Sequence, residues 1–334
     1  RALTMDAFEL SLLNQFQRDF PLVARPFAAM AERLGCSEAR VLDTLRALEG
    51  RGAVSRVGGV VAPRRIGAST LAALRVPSGR LAEVAERVSA FSEVNHNYER
   101  EHAFNLWFVL AAGDSDRLAA TLSRIRRETD CPVISLPLQE EFHIDLGFDL
   151  CGGRRWHERS QGPDDCRAVD LGDAGRRLMA ALEDGLELVP RPFARLALRS
   201  GLTEDAVLAQ LADWLGARVL KRFGVVVRHH ELGFTANARA VGDVPDEDVS
   251  AVGRRLATEP GVTLCYRRAR SLPDWRYNLF CMVHGQQRDE VEERVAAIRS
   301  GQGLAGVPHA LLFSRRRFKQ TGARYLSAGA AAHG

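Results

Sequence analysis

The chain has 334 residues, 46% hydrophobic and 26% charged, with a formal net charge of +4 and a pI near 8.9. That length accommodates two to four compact domains, and the composition is ordinary for a globular protein. No run of about 18 uninterrupted apolar residues occurs, which excludes an obvious membrane helix. Residues Arg1 to Asp6 carry no apolar signal core, so a cytoplasmic location is expected. The six cysteines (Cys36, Cys131, Cys151, Cys166, Cys265, Cys281) are scattered, without the close pairs of a zinc site or a disulfide framework. The mild basic excess suits an anionic ligand and is weak evidence for nucleic acid.

Three helices open the chain. The first is expected over 6–17, with Phe8, Leu12, Leu13 and Phe16 on one face. The second follows Pro26 over 27–34, since proline suits a helix start. A Gly35-Cys36 turn leads to the third, capped by Ser37 and spanning 38–49 with Val41, Leu42, Leu45 and Leu48 inward. This is helix-turn-helix spacing. Residues 54–57 and 59–62 read as a two-stranded wing. The next segments alternate: strand 69–76, helix 81–90, strands 94–98 and 105–111, helix 114–128 and strand 133–142. That βαββαβ order is the ferredoxin-like pattern, an antiparallel sheet with two helices on one face.

The pattern then repeats. Arg25-Pro26-Phe27 returns as Arg191-Pro192-Phe193, an offset of 166, and Arg56-Val57-Gly58 returns as Arg222-Phe223-Gly224. Gly35 and Glu38 return as Gly201 and Glu204. Helices are expected over 173–183, 193–199 and 204–215, with Thr203 as cap, and a wing over 219–228. Strands 236–241, 262–267, 277–284 and 310–318 and helices 246–258 and 288–300 complete the second copy. The fold expected is therefore α+β, a tandem duplication of a winged helix-turn-helix followed by a ferredoxin-like domain. Its boundaries are winged helix 1–67, ferredoxin-like 68–150, Gly- and charge-rich linker 151–168, winged helix 169–234, ferredoxin-like 235–326 and tail 327–334.

Polar residues concentrate in one stretch of each copy. The first holds His96, Tyr98, Arg100, His102 and Asn105 before an apolar strand. The second holds Tyr266, Arg267, Arg268, Arg270 and Asn278 before another. Tyr98 aligns with Tyr266, Asn105 with Asn278, and the tail Phe142-His143 with Phe318-Lys319. A strand, a loop and a strand would present these groups at one end of a sheet, a position suited to a ligand.

A winged helix followed by a ferredoxin-like domain resembles the Lrp/AsnC transcription regulators. The polar stretches point more narrowly. His96-Asn97-Tyr98-Glu99-Arg100-Glu101-His102 with Asn105-Leu106-Trp107-Phe108 resembles the siroheme decarboxylases, in the form that fuses D and L modules. Cys265-Tyr266-Arg267-Arg268 with the segment from Trp275 to Gly285, the stretch Arg222 to His229, and Phe318-Lys319 match the same family. The resemblance covers both copies. It implies removal of the acetate carboxyl groups at carbons 12 and 18 of siroheme, giving 12,18-didecarboxysiroheme on the way to heme d1. The competing reading is an Lrp/AsnC-like regulator that responds to a tetrapyrrole. Against it, the recognition helix of the second copy carries Glu204, Asp205 and Asp213 and no basic residue, where phosphates require cations. DNA binding is therefore not expected, and the helix-turn-helix reads as scaffold.

Siroheme is a flat iron tetrapyrrole ringed by carboxylates. Arginine forks suit it, because a planar guanidinium grips a carboxylate through two parallel hydrogen bonds. Arg228, Arg267, Arg268 and Arg270 are the candidate binding forks, together with His229, Tyr266, Asn105 and Asn278 and with Lys319 as a point charge. His96 is the leading candidate proton donor, with Tyr98, Arg100 and His102 beside it. The bland alternatives are arginines paired with Glu99 and Glu101, and asparagines that only fix the loop. Trp107 and Phe280 read as core. The conjugated macrocycle can accept the electrons of the broken bond, so no separate cofactor is demanded, and no resident metal is expected. Expected partners are siroheme, the homologous module within the chain, and a further copy or related subunits.

Overall fold

The computed structural model describes residues 5–62, 65–144, 169–227, 236–285, 287–322 and 324–326. Its helical parts follow local sequence closely. Helix α1 (Ala7–Phe16) starts at a capping box in which Asp6 and Glu9 satisfy each other's backbone N–H groups. Helices α2 (Pro26–Leu34) and α3 (Glu38–Gly50) are separated by Gly35 in the left-handed conformation, φ 66°, and Ser37 accepts the Arg40 N–H. The second copy repeats this with α6 (Gly172–Leu182), α7 (Pro192–Ser200) and α8 (Glu204–Gly216), using Gly201 and Thr203.

The wings differ from the expectation. No two-stranded wing forms within either copy among the described residues. Val54–Val61 is one strand, β1, and it pairs antiparallel with β7 (Leu220–Val227) of the other copy. Each wing supplies a single strand because its apolar residues find a larger partner surface across the duplication. Both helix-turn-helix units then share one core, in which Phe16, Phe20, Phe27, Phe193 and Phe223 meet. Gly224 permits this, since a Cβ there would lie 2.3 Å from the Phe16 carbonyl oxygen.

The ferredoxin-like halves exchange strands too. The remaining elements are β2 (Ala68–Leu74), α4 (Leu81–Ala90), β3 (Val94–Arg100), β4 (Leu106–Ala112), α5 (Ser115–Thr129), β5 (Val133–Leu136) and β6 (Leu138–Ile144). They are followed by β8 (Ala236–Gly242), α9 (Val249–Leu256), β9 (Val262–Arg268), β10 (Leu279–Gly285), α10 (Arg288–Gly301) and β11 (His309–Gln320). The strand expected over 133–142 is cut by Pro137, which lacks the N–H needed to continue a ladder. Its first part, β5, stays in copy 1; its second part, β6, joins β9 of copy 2. Strand β11 does the reverse without a break: residues 309–313 pair with β8, and 314–320 with β3 of copy 1. One nine-stranded sheet results, in the order β5-β2-β4-β3-β11-β8-β10-β9-β6. Its two ends are joined through Pro137, so the sheet bends round on itself and its halves face each other.

Two corners result from this closure. At the first, β3 of copy 1 meets β8 of copy 2 across β11. At the second, β9 of copy 2 meets β2 of copy 1 across β6 and β5. Helices α4 and α5 cover one half of the sheet over Leu74, Val94, Phe108 and Leu110. Helices α9 and α10 cover the other over Ala238, Cys265, Cys281 and Val283. Because side chains alternate along a strand, the residues between these positions point into the space enclosed by the sheet. Leu71, Ala73, Trp107, Val241, Tyr266, Phe280 and Leu312 pack together there.

Candidate functional site

The enclosed face of the sheet carries charge as well as apolar surface. On β3, Val94 and Asn97 point to α4, the latter donating to the Ala85 carbonyl. His96, Tyr98 and Arg100 therefore point inward. On β9, Cys265 points to α9, and Tyr266 and Arg268 point inward. On β8, Ala238 and Ala240 point to the helices, and Arg239 points inward. Three guanidinium groups and an imidazole thus face one interior.

These cations are poorly satisfied. Arg100 donates from Nη1 to the Leu312 carbonyl at 3.0 Å, and Arg268 does the same to Leu136 at 2.8 Å. Yet Nε of Arg100, Nε of Arg268, and both Nε and Nη1 of Arg239 are buried without a hydrogen-bond partner among the described residues. Ring faces also meet them, Arg100 over Tyr98, Arg239 over Trp107 and Arg268 over Tyr266, at 5.9, 5.5 and 4.7 Å, and Arg268 hydrogen-bonds the Tyr266 side chain as well. No ion pair reaches any of the three among the described residues. Glu99 and Glu101 are taken by Arg316, and by Arg288 and Arg315. Buried donors are ordinarily paired, and an acceptor such as a carboxylate would satisfy this set.

Electrostatics records the same strain. Burial, and then the neighbouring Arg239, push Arg100 down to about 9. Burial lowers Arg268 to about 10. Both groups remain cations at neutral pH. His96 is pushed down to about 4, first by burial and then by the charges of Arg56 and Arg239. Its ring stacks on Tyr98, with centroids 6.2 Å apart, and keeps some accessible surface. An imidazole so placed is uncharged at neutral pH. A carboxylate bound among these arginines would reverse the field and draw a proton onto it.

The other expected site residues lie elsewhere. His102 sits in the β3–β4 loop, where Nδ1 accepts the Phe104 N–H and the ring meets Trp275 edge-on at 5.2 Å. Burial and Arg75 lower its pKa. Trp275 stops that end of the interior, against Trp107, Tyr277 and Phe280. The sheet-end site is thereby corrected: the loop end is filled with aromatic rings, and the polar groups lie inside. Asn105 exchanges two hydrogen bonds with the Val76 backbone, and Asn278 does the same with Val244, so neither amide is left for a ligand. Arg267 pairs with Asp246 on the outer surface, and Arg270 binds Asp243, Asp246 and the Val244 carbonyl. Lys319 points away from the interior, because a bulge in β11 turns it toward α4. There it caps the Ser89 and Phe91 carbonyls. Arg228 and His229 lie outside the described residues, as does the linker.

Two participants escaped the sequence reading. Arg239 had a signal: it is a lone arginine inside the otherwise small and apolar strand Ala238-Arg239-Ala240-Val241. Arg56, half-buried on β1, had none, since only the exchanged wing brings its charge to His96. An apolar cavity of about 50 Å³ lies apart from this site, between β8, β10 and α10, among Val244, Leu256, Val295 and Leu304. Arg299 at its edge is spent on three carbonyls, so it offers no grip for an anion.

Known proteins share this architecture. Residues 65–143 and 231–319 match the AsnC-like ligand binding domain, and residues 9–54 match the siroheme decarboxylase NirDL-like HTH domain. The chain is 48% identical to the siroheme decarboxylase NirDL subunit of Paracoccus denitrificans (strain Pd 1222) over 322 residues, 96% of this chain and 98% of that protein. A crystal structure of the siroheme decarboxylase NirDL superposes with a TM-score of 0.70 at 30% identity, covering 96% of this chain and 94% of the other. A crystal structure of that enzyme with an iron-uroporphyrin III analogue matches with a TM-score of 0.69 at 29% identity, again covering 96% and 94%. A duplicated helix-turn-helix and AsnC-like module, closed around buried cations and matched over nearly its whole length, makes this chain a member of the siroheme decarboxylase family.

Proposed function

We propose that the chain removes the acetate carboxyl groups at carbons 12 and 18 of siroheme, as a carbon–carbon lyase, to give 12,18-didecarboxysiroheme for heme d1. The observation that carries this reading is the interior set of Arg100, Arg239 and Arg268, each with a buried Nε that lacks a partner and none with an ion pair among the described residues. A macrocycle rimmed by carboxylates supplies what is missing. The family match narrows the macrocycle to siroheme, and a relative's complex with an iron-uroporphyrin III analogue has the same chemistry at its rim.

The reaction needs little else. The bond between the arm carbon and its carboxylate breaks, carbon dioxide leaves, and the electron pair stays on the arm carbon. The conjugated ring delocalises that pair, so no other cofactor is required, and iron enters only with the substrate. Binding places carboxylates among the arginines, which raises the affinity of His96 for a proton. The imidazolium then protonates the arm carbon to a methyl group and is recharged from solvent. Tyr98, stacked on His96, fixes the ring and presents its hydroxyl to the same space.

Incubation of the purified chain with siroheme, without air, tests this. Mass spectrometry is expected to show loss of one and then two carboxyl groups. His96→Gln is expected to slow the loss about 100-fold or more, the usual range for removal of a general acid. Unchanged siroheme together with tight binding to a DNA operator would favour the regulator instead. The α8 surface argues against that outcome, since Asp205, Ala206, Ala209, Ala212 and Asp213 are exposed on it and no cation is.

A further inference from the structure

The two corners of the sheet are related by the duplication, and the match can be checked bond by bond. Arg100 donates to Leu312 as Arg268 donates to Leu136. Tyr98 lies opposite Trp107 as Tyr266 lies opposite Phe280. His96 is opposite Val109, and its counterpart Leu264 is opposite Met282. Leu71 is opposite Val109 on β2, and its counterpart Arg239 is opposite Met282 on β8. Arg317 pairs with Tyr98 in the ladder, and its counterpart Glu141 pairs with Tyr266.

The differences all fall the same way. The first corner collects His96, Tyr98, Arg100 and Arg239, while Arg317 is exposed and donates to Gln320. The second has Leu264, Tyr266, Arg268 and Leu71 in the same places. Glu141 is an acid held by an ion pair to Lys221. One corner is cationic and carries an imidazole on β3. The other has lost both the imidazole and one arginine to leucine, and its carboxylate is already matched by Lys221. His284, which faces inward from β10, does not restore the balance, because it stands in the middle of its half-sheet rather than on the corner strands.

From this asymmetry we infer that the chain holds one macrocycle, at the corner where β3 of copy 1 meets β8 of copy 2, and that Arg239 is the residue that selects this corner. The inference rests on the siroheme reading and deepens it. Both arms are then processed at one site in series, so the singly decarboxylated macrocycle has to leave or turn before the second arm reaches His96. Arg239 acts on binding, by gripping a carboxylate that the other corner cannot grip.

Anaerobic titration of the full chain with iron-uroporphyrin III, followed by absorbance, tests the inference. One equivalent per chain is expected. Arg239→Leu installs the residue that the second corner carries at that position, and is expected to weaken binding at least 10-fold with no second equivalent emerging. His96→Leu, built on the same logic, is expected to leave one equivalent bound and to abolish carbon dioxide release. Two equivalents on the native chain, or full-affinity binding by Arg239→Leu, would overturn the single-site inference and leave the siroheme reading standing. No binding by the native chain would overturn both.

Discussion

His96 is uncharged in the folded chain at neutral pH, and the proton transfer proposed for it requires that it become charged. Burial and two arginines hold it down to about 4. The folded value thus lies below the ordinary 6.5, so the unfolded chain takes up a proton that the folded chain refuses. Stability of the ligand-free protein should therefore rise with pH between about 4 and 6.5, by roughly 3 kcal/mol if His96 acted alone. Thermal melts across that range should show the step, and His96→Leu should flatten it. Arg100 poses a related conflict, as a buried guanidinium with an unpaired Nε. Replacing it with methionine of similar volume should stabilise the empty protein by about 1 kcal/mol, as with other unpaired buried charges. The same change should weaken iron-uroporphyrin III binding at least about 10-fold. A fall in both stability and binding would mark Arg100 as structural. Period-two alternation explains which candidates could be recognised from sequence: His96, Tyr98 and Arg100 are spaced by two and share a face. Arg267 and Arg268 are adjacent, so only one of them could enter. That it is Arg268 follows from the apolar register of Leu264 and Tyr266.

At the scale of elements, helices were legible to within a residue or two at most ends, because caps and glycines are local signals. Ser37, Thr203, Gly35 and Gly201 all serve where the pattern suggested. Helix α9 is the exception. It begins at Val249, since Pro245 leads a turn before it. Strand partners were not legible. A strand's alternation states which residues share a face, but not which edge it will join, and hydrogen bonds between strands carry little sequence information. Pro137 could have warned of the break between β5 and β6, and the exchange of β6 into the other copy could not be foreseen. One position exposes the geometry of that exchange. Phe142 of β6 lies over Gly253 of α9, where a Cβ would come within 2.1 Å of the ring. Gly253→Ala should cost about 1–3 kcal/mol in denaturant unfolding through overpacking. An unchanged midpoint would show that β6 docks loosely.

The whole molecule is one interlocked body rather than two modules on a string. Strands β1 and β7 join the helix-turn-helix units, β6 completes the sheet of copy 2, and β11 completes that of copy 1. Residues 1–150 and 169–334 expressed separately should each be insoluble or unfolded, and coexpressed they should purify as a one-to-one complex. Soluble, folded halves would contradict the interlock. No helix among the described residues is long and apolar enough to cross a membrane. The amino-acid sequence alone determined the duplication, the kinds of element in each copy and the inward face of β3, because periodicity and capping act between residues close in the chain. Only the tertiary structure decided that wings and last strands are exchanged, that Arg56 and Arg239 join His96, and that Lys319 and Arg270 do not. Those outcomes depend on which distant surfaces meet, and on how unpaired charge is shared among groups that lie far apart along the chain.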